Sequence, residues 1–158
     1  MTSTPVKINP PKIQRRNVVV LSAAFLLLGS LYIFQRFNFL AFLSSRVGID
    51  AQSFHPYSFF IFNKTLRLIG NDVACMGIIY VFFRERKYMR VAFYFFIIEL
   101  FVLLPFYFLI KLSLEGDGEI SSPLLSQVHR VIVNPILMIL LMIAFWYQRI
   151  QESRSKKL

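Results

Sequence analysis

Apolar residues run along this chain in four long blocks, separated by short stretches that collect most of the charge. The blocks cover positions 17–34, 66–83, 91–110 and 131–147, and the third contains one charged residue, Glu99. A helix of a soluble bundle shows a polar face at every third or fourth position, and the block at 91–110 offers almost none. At 1.5 Å rise per residue the blocks are ~25–30 Å long, enough to cross a hydrocarbon core with little tilt. The pattern predicts an all-α fold: a four-span transmembrane helical bundle forming one domain over 1–158, with outer loops at 35–65 and 111–130. The second block is short, so its helix is expected to begin earlier, near Tyr57–Phe62. The first block exceeds the apolar core of a secretory signal, and no small-x-small cleavage pattern follows it, so it is expected to stay as an anchor.

Composition agrees. Hydrophobic residues make up 56% of the chain, and the mean hydropathy is +0.58. Four basic residues precede the first span (Lys7, Lys12, Arg15, Arg16), four lie between spans two and three (Arg84, Arg86, Lys87, Arg90) and four follow the last (Arg149, Arg154, Lys156, Lys157). These twelve of the chain's eighteen Lys and Arg residues fall on one side of a four-span protein. Basic flanks stay on the cytoplasmic side, so both termini are expected there, in a multi-pass membrane protein. The formal net charge of +10 follows from these flanks. No separate basic domain points to nucleic acid, so the bilayer is the expected surroundings.

Loops and prolines refine the picture. The aromatic stretches at 37–42 and 54–62 suit the headgroup region, and the first outer loop is expected to lie along the membrane as short helices. Ser122-Pro123 reads as a helix start. Pro105 and Pro135 fall inside spans three and four, where each should kink or open the backbone.

Two spans open with matching polar groups: Arg67, Asn71 and Asp72 in the second, and His129, Arg130 and Asn134 in the fourth. Each has Arg followed by Asn four residues later, which share a helix face, and both sets lie at the same predicted depth. If the two helices are neighbours, the asparagines bridge them and Asp72 pairs with Arg130 or Arg67. Such groups either clamp helices together or meet a substrate or partner. Glu99, deep in span three, is expected as a neutral carboxyl hydrogen-bonded to another helix. Cys75 is the only cysteine and lies one turn below Asn71. With His129 and Arg130 it would supply a thiolate, a base and an oxyanion stabiliser, although a buried cysteine is most often an inert small hydrophobe. Two distant histidines and one cysteine fit no familiar metal spacing, and no motif calls for a cofactor.

The run from Leu125 to Leu141, with its His129-Arg130-x-x-x-Asn134-Pro135 core, the Arg67…Asn71-Asp72 opening and the basic turn before span three together resemble the exosortase F system-associated membrane proteins of Bacteroidota. The resemblance covers about 54–148. It implies an accessory role beside an exosortase, a membrane cysteine transpeptidase that processes proteins with a C-terminal sorting signal, and no activity of its own. The Ala74-Cys75-Met76-Gly77-Ile78 run resembles the exosortase nucleophile region, with Met76 where those enzymes carry a small polar residue. Transpeptidase chemistry by Cys75 and His129 is therefore the alternative expectation, and a purely structural bundle a third.

Overall fold

The computed structural model describes residues 15–48, 55–116 and 122–155, and these are helical with no strand among them. Helix α1 (Arg15–Ile33) leads through a turn to the short α2 (Phe39–Val47), and α3 (Pro56–Phe83) returns. A tight turn at Arg84 starts the third crossing, built of α4 (Arg86–Ile98), a π-helical turn (Glu99–Leu103) and α5 (Leu104–Glu115). The last crossing is split into α6 (Pro123–Val133) and α7 (Ile136–Ser155). Three helical segments, at Arg15–Ile33, Tyr57–Phe83 and Arg86–Glu115, are long and apolar enough to cross a membrane. The α6–α7 pair makes a fourth if its bent halves are taken as one span.

The start of α1, the α3–α4 turn and the end of α7 lie at one end of the bundle. The Arg16 guanidinium reaches the Tyr80 hydroxyl, the Arg149 guanidinium donates to the Phe82 carbonyl, and Lys87 pairs with Glu152. This is called the basic end below. The opposite end, with α2, the start of α3, the end of α5 and the start of α6, is called the loop end.

Helix α3 runs through the middle: 50% of its apolar stretch is buried, against 17% for the spans on either side in sequence. Its small residues Gly70, Ala74 and Gly77 fall at helical spacing along one side, which lets α1 approach closely. A Cβ at Gly70 would lie 2.7 Å from a Leu31 methyl, and one at Gly77 would touch Val20 and Ala24. Elsewhere α3 packs through two separate cores. At the basic end Ile79, Phe83, Tyr88, Ala92 and Phe145 interlock, with the Tyr88 and Phe145 rings 4.8 Å apart. Toward the loop end Leu68, Leu104, Tyr107, Leu125 and Val133 form the second core. Away from these contacts Phe101, Val102, Phe106 and Leu109 stand exposed on the third crossing. A continuous apolar outer face of this kind fits contact with lipid.

Both prolines leave marks on the backbone. Pro105 has no N–H to offer Phe101, and the chain before it loosens by one residue, so that the Leu104 N–H reaches the Glu99 carbonyl five positions back. Pro135 acts more strongly. The residue before a proline is pushed away from helical geometry, and Asn134 takes an extended conformation with φ −95° and ψ 159°. Helices α6 and α7 meet there at a bend of 57°. Helix α3 starts at Pro56, well ahead of the apolar block at 66, with the His55 ring accepting the Tyr57 N–H. Among the described residues between α1 and α3 there is one short helix, α2, capped by Asn38 and by Gly48 in the left-handed conformation.

Candidate functional site

The site grows from the break in the fourth crossing. An α-helix ending at Val133 leaves carbonyl groups without partners, and in an apolar setting such groups need an answer. Asn71 gives it: its Nδ2 donates to the Val133 carbonyl at 3.0 Å. One turn along α3, the Arg67 guanidinium donates to the Asn134 side-chain oxygen, also at 3.0 Å. The two asparagines and Arg67 thus join α3 to the α6–α7 break, and the second Arg–Asn set meets the first.

His129 faces elsewhere. Its Nδ1 is hydrogen-bonded to the Tyr107 hydroxyl of α5 at 2.8 Å, with the rings 5.4 Å apart. Around it gather the charges of Lys64, Arg67, Lys111 and Arg130. These are four of the six basic residues that lie outside the three flanks of the basic end. Lys111 is fully buried; its ammonium donates to the Gly116 carbonyl and sits 4.8 Å from the centre of the Phe60 ring. Lys64 lies 5.7 Å from the same ring and, with Asn63 and Arg67, lines a narrow cleft beside Leu31, Gln35 and Phe39. Asn63 closes that cleft by accepting the Phe39 and Leu40 N–H groups at the start of α2.

Arg130 differs from its neighbours. It is exposed, and among the described residues its side chain makes no hydrogen bond or ion pair. No protein-family model, curated protein or solved structure matches the chain. The site is therefore read from its own geometry.

Asp72 requires a correction. The sequence pointed to Arg130 or Arg67 as its partner, and it pairs with neither. Its carboxyl is hydrogen-bonded to that of Glu99 in the π-helical turn. Both residues are buried, at 3% and 2% exposed, and the second Asp72 oxygen finds no donor. A hydrogen bond between two carboxyl groups requires at least one of them to carry a proton. The extra residue of the π turn changes the phase of the helix at Glu99. Its carboxyl reaches α3, the neighbouring-helix bond expected for it.

Cys75 is 1% exposed, and the charges that reach it are those of Asp72 and Glu99. Those that reach His129 are the four cations above. No hydrogen bond among the described residues joins the Cys75 thiol to the His129 ring, whose Nδ1 is taken by Tyr107. Among the described residues no three His, Cys, Asp or Glu side chains are grouped as metal ligands.

Sequence reasoning passed over Lys64, Tyr107 and Lys111. The first and last were assigned to outer loops by the edges of the apolar blocks, yet both fall inside helices. Lys111 between Ile110 and Leu112 was the available signal, because a lysine flanked by apolar residues at a span end must find a partner or snorkel.

Proposed function

We propose that this chain is an accessory integral membrane protein that docks a membrane partner at its loop end through the cationic group around His129, with Arg130 as the outward contact. One observation carries the reading. Arg67, Asn71, Asp72, His129 and Asn134 each find a partner inside the bundle, while exposed Arg130 makes no hydrogen bond or ion pair among the described residues. An exposed guanidinium at the edge of a hydrocarbon core suits a planar oxygen acceptor on an acidic or amide-rich segment.

The resemblance to exosortase F system-associated proteins supplies the context. The partner is an exosortase or the transmembrane tail of its substrate, and the membrane is a bacterial inner membrane. The twelve basic residues of the flanks support a cytoplasmic basic end, which places the docking group in the outer leaflet. Catalysis by Cys75 and His129 is the weaker reading, since the thiol is buried and the imidazole is hydrogen-bonded to Tyr107.

The test scores protein abundance and processing of sorting-signal proteins together in the native host. Arg130→Ala is expected to keep abundance and lose processing, and Cys75→Ala to keep both. Loss of processing by Cys75→Ala at normal abundance overturns the accessory reading in favour of an enzyme. Normal processing in Arg130→Ala, with Asn71 and Arg67 variants lowering abundance alone, leaves a structural bundle whose polar groups only clamp helices.

A further inference from the structure

At the basic end, far from the docking group, a small recess opens between the beginning of α1 and the last turn of α3. Arg16, Asn17, Tyr80 and Arg84 line it. Tyr80 and Arg84 are one helical turn apart and share a face. The Arg16 guanidinium donates to the Tyr80 hydroxyl at 3.1 Å, which holds it at the rim. Asn17 is 5% exposed, and its amide nitrogen has no acceptor. A buried N–H without an acceptor is costly and is uncommon enough to need a cause. Arg84 adds a second sign. Its φ of 54° lies in the left-handed region, where helix ends usually carry glycine. A long cationic side chain therefore occupies a position that glycine would fill with less strain.

Among the described residues, two guanidinium groups, one unanswered amide donor and a hydroxyl line the recess, with no carboxylate beside them. Its place at the ends of two helices able to cross a membrane puts it at headgroup level. We propose that it binds a phosphoryl oxyanion. Arg16 and Asn17 donate to the non-bridging oxygens, Arg84 supplies the second positive charge, and Tyr80 orients Arg16. Guanidinium groups match phosphate geometry through paired N–H donors. The phosphate of an anionic phospholipid and free inorganic phosphate share this chemistry, and the experiment separates them. The inference is independent of the docking role and holds for either orientation in the bilayer.

The full chain is placed in phosphatidylcholine nanodiscs doped with phosphatidylglycerol, and retained phosphatidylglycerol is counted by native mass spectrometry. Arg16→Gln is expected to weaken retention by about tenfold, the scale of one lost hydrogen bond to a charged group. Asn17→Leu removes the unanswered amide and keeps an apolar side chain in its place. It is expected to lower retention without lowering the melting temperature. Arg90→Gln, at the same end but outside the recess, is the control for diffuse attraction and should change nothing. In discs of phosphatidylcholine alone, inorganic phosphate is titrated against melting temperature. A rise in the wild type that Asn17→Leu abolishes, without selective retention of phosphatidylglycerol, supports the oxyanion site with free phosphate as its ligand. Two results overturn the proposal: Arg90→Gln lowering retention as much as Arg16→Gln, or Asn17→Leu behaving as the wild type toward both ligands.

Discussion

Helix α3 is held in two different ways along its length. At the basic end it is gripped by rings and branched side chains, with Ile79 and Phe83 set against Tyr88, Ala92 and Phe145. Toward the loop end the backbone of both partner crossings is irregular, and named polar bonds do much of the holding: Asn71 to Val133, Arg67 to Asn134 and Asp72 to Glu99. Between membrane helices polar bonds are individually modest, because separated helices also find partners for such groups. Packing depends on filled volume and fails sharply when volume is removed. The packed half should therefore set stability, and the polar half should set which arrangement of helices is adopted.

Phe145→Ala tests the first statement with the largest effect. The residue is 5% exposed and touches both the Phe83 and Tyr88 rings, so its truncation should cost about 3–5 kcal/mol. A melting curve in nanodiscs would show it, and a loss below ~1 kcal/mol would break the comparison. Asn71→Leu probes the other half. It leaves the Val133 carbonyl unanswered and should cost about 1–2 kcal/mol. Spin labels on α6 and α7 should report a changed bend in this variant before any drop in helix content by circular dichroism. Unchanged label distances would remove Asn71 from the role of fixing the break. The smallest effect belongs to the carboxyl pair. Glu99→Gln can still donate a hydrogen bond to Asp72 and should shift the melting temperature little. Glu99→Ala strands the second carboxyl and should cost about 1–3 kcal/mol. Equal behaviour of the two substitutions would show that the bond contributes nothing.

Much of the frame was legible in the chain. Blocks of apolar residues gave the helices, because hydrocarbon excludes polar groups along a whole segment rather than along one face. The shared Arg-x-x-x-Asn spacing pointed to the contact between α3 and the fourth crossing, and Pro135 to the break. Partners inside the polar region were harder to read. Periodicity tells which residues share a face but not which neighbour that face meets, so Asp72 was matched by charge to an arginine. The π-helical turn was the missing piece. One extra residue before Pro105 rotates Glu99 relative to the helix that follows; the proline announces a disturbance there but not its phase. Lys64 and Lys111 were lost at the block edges for a related reason. A lysine with its ammonium against the Phe60 ring or a backbone carbonyl belongs to the helix, although hydropathy assigns it to the loop.

The split last crossing has a consequence for biogenesis. Neither α6 nor α7 alone qualifies as a span; only the bent pair passes together. Its polar interruption is met by groups that the ribosome has already delivered: Asn71 and Arg67 on α3, and Tyr107 on α5. The final segment thus meets helices that already carry partners for its polar groups. Earlier helices act as its chaperone, and quality control would sense a faulty α3 through a last segment left outside the membrane.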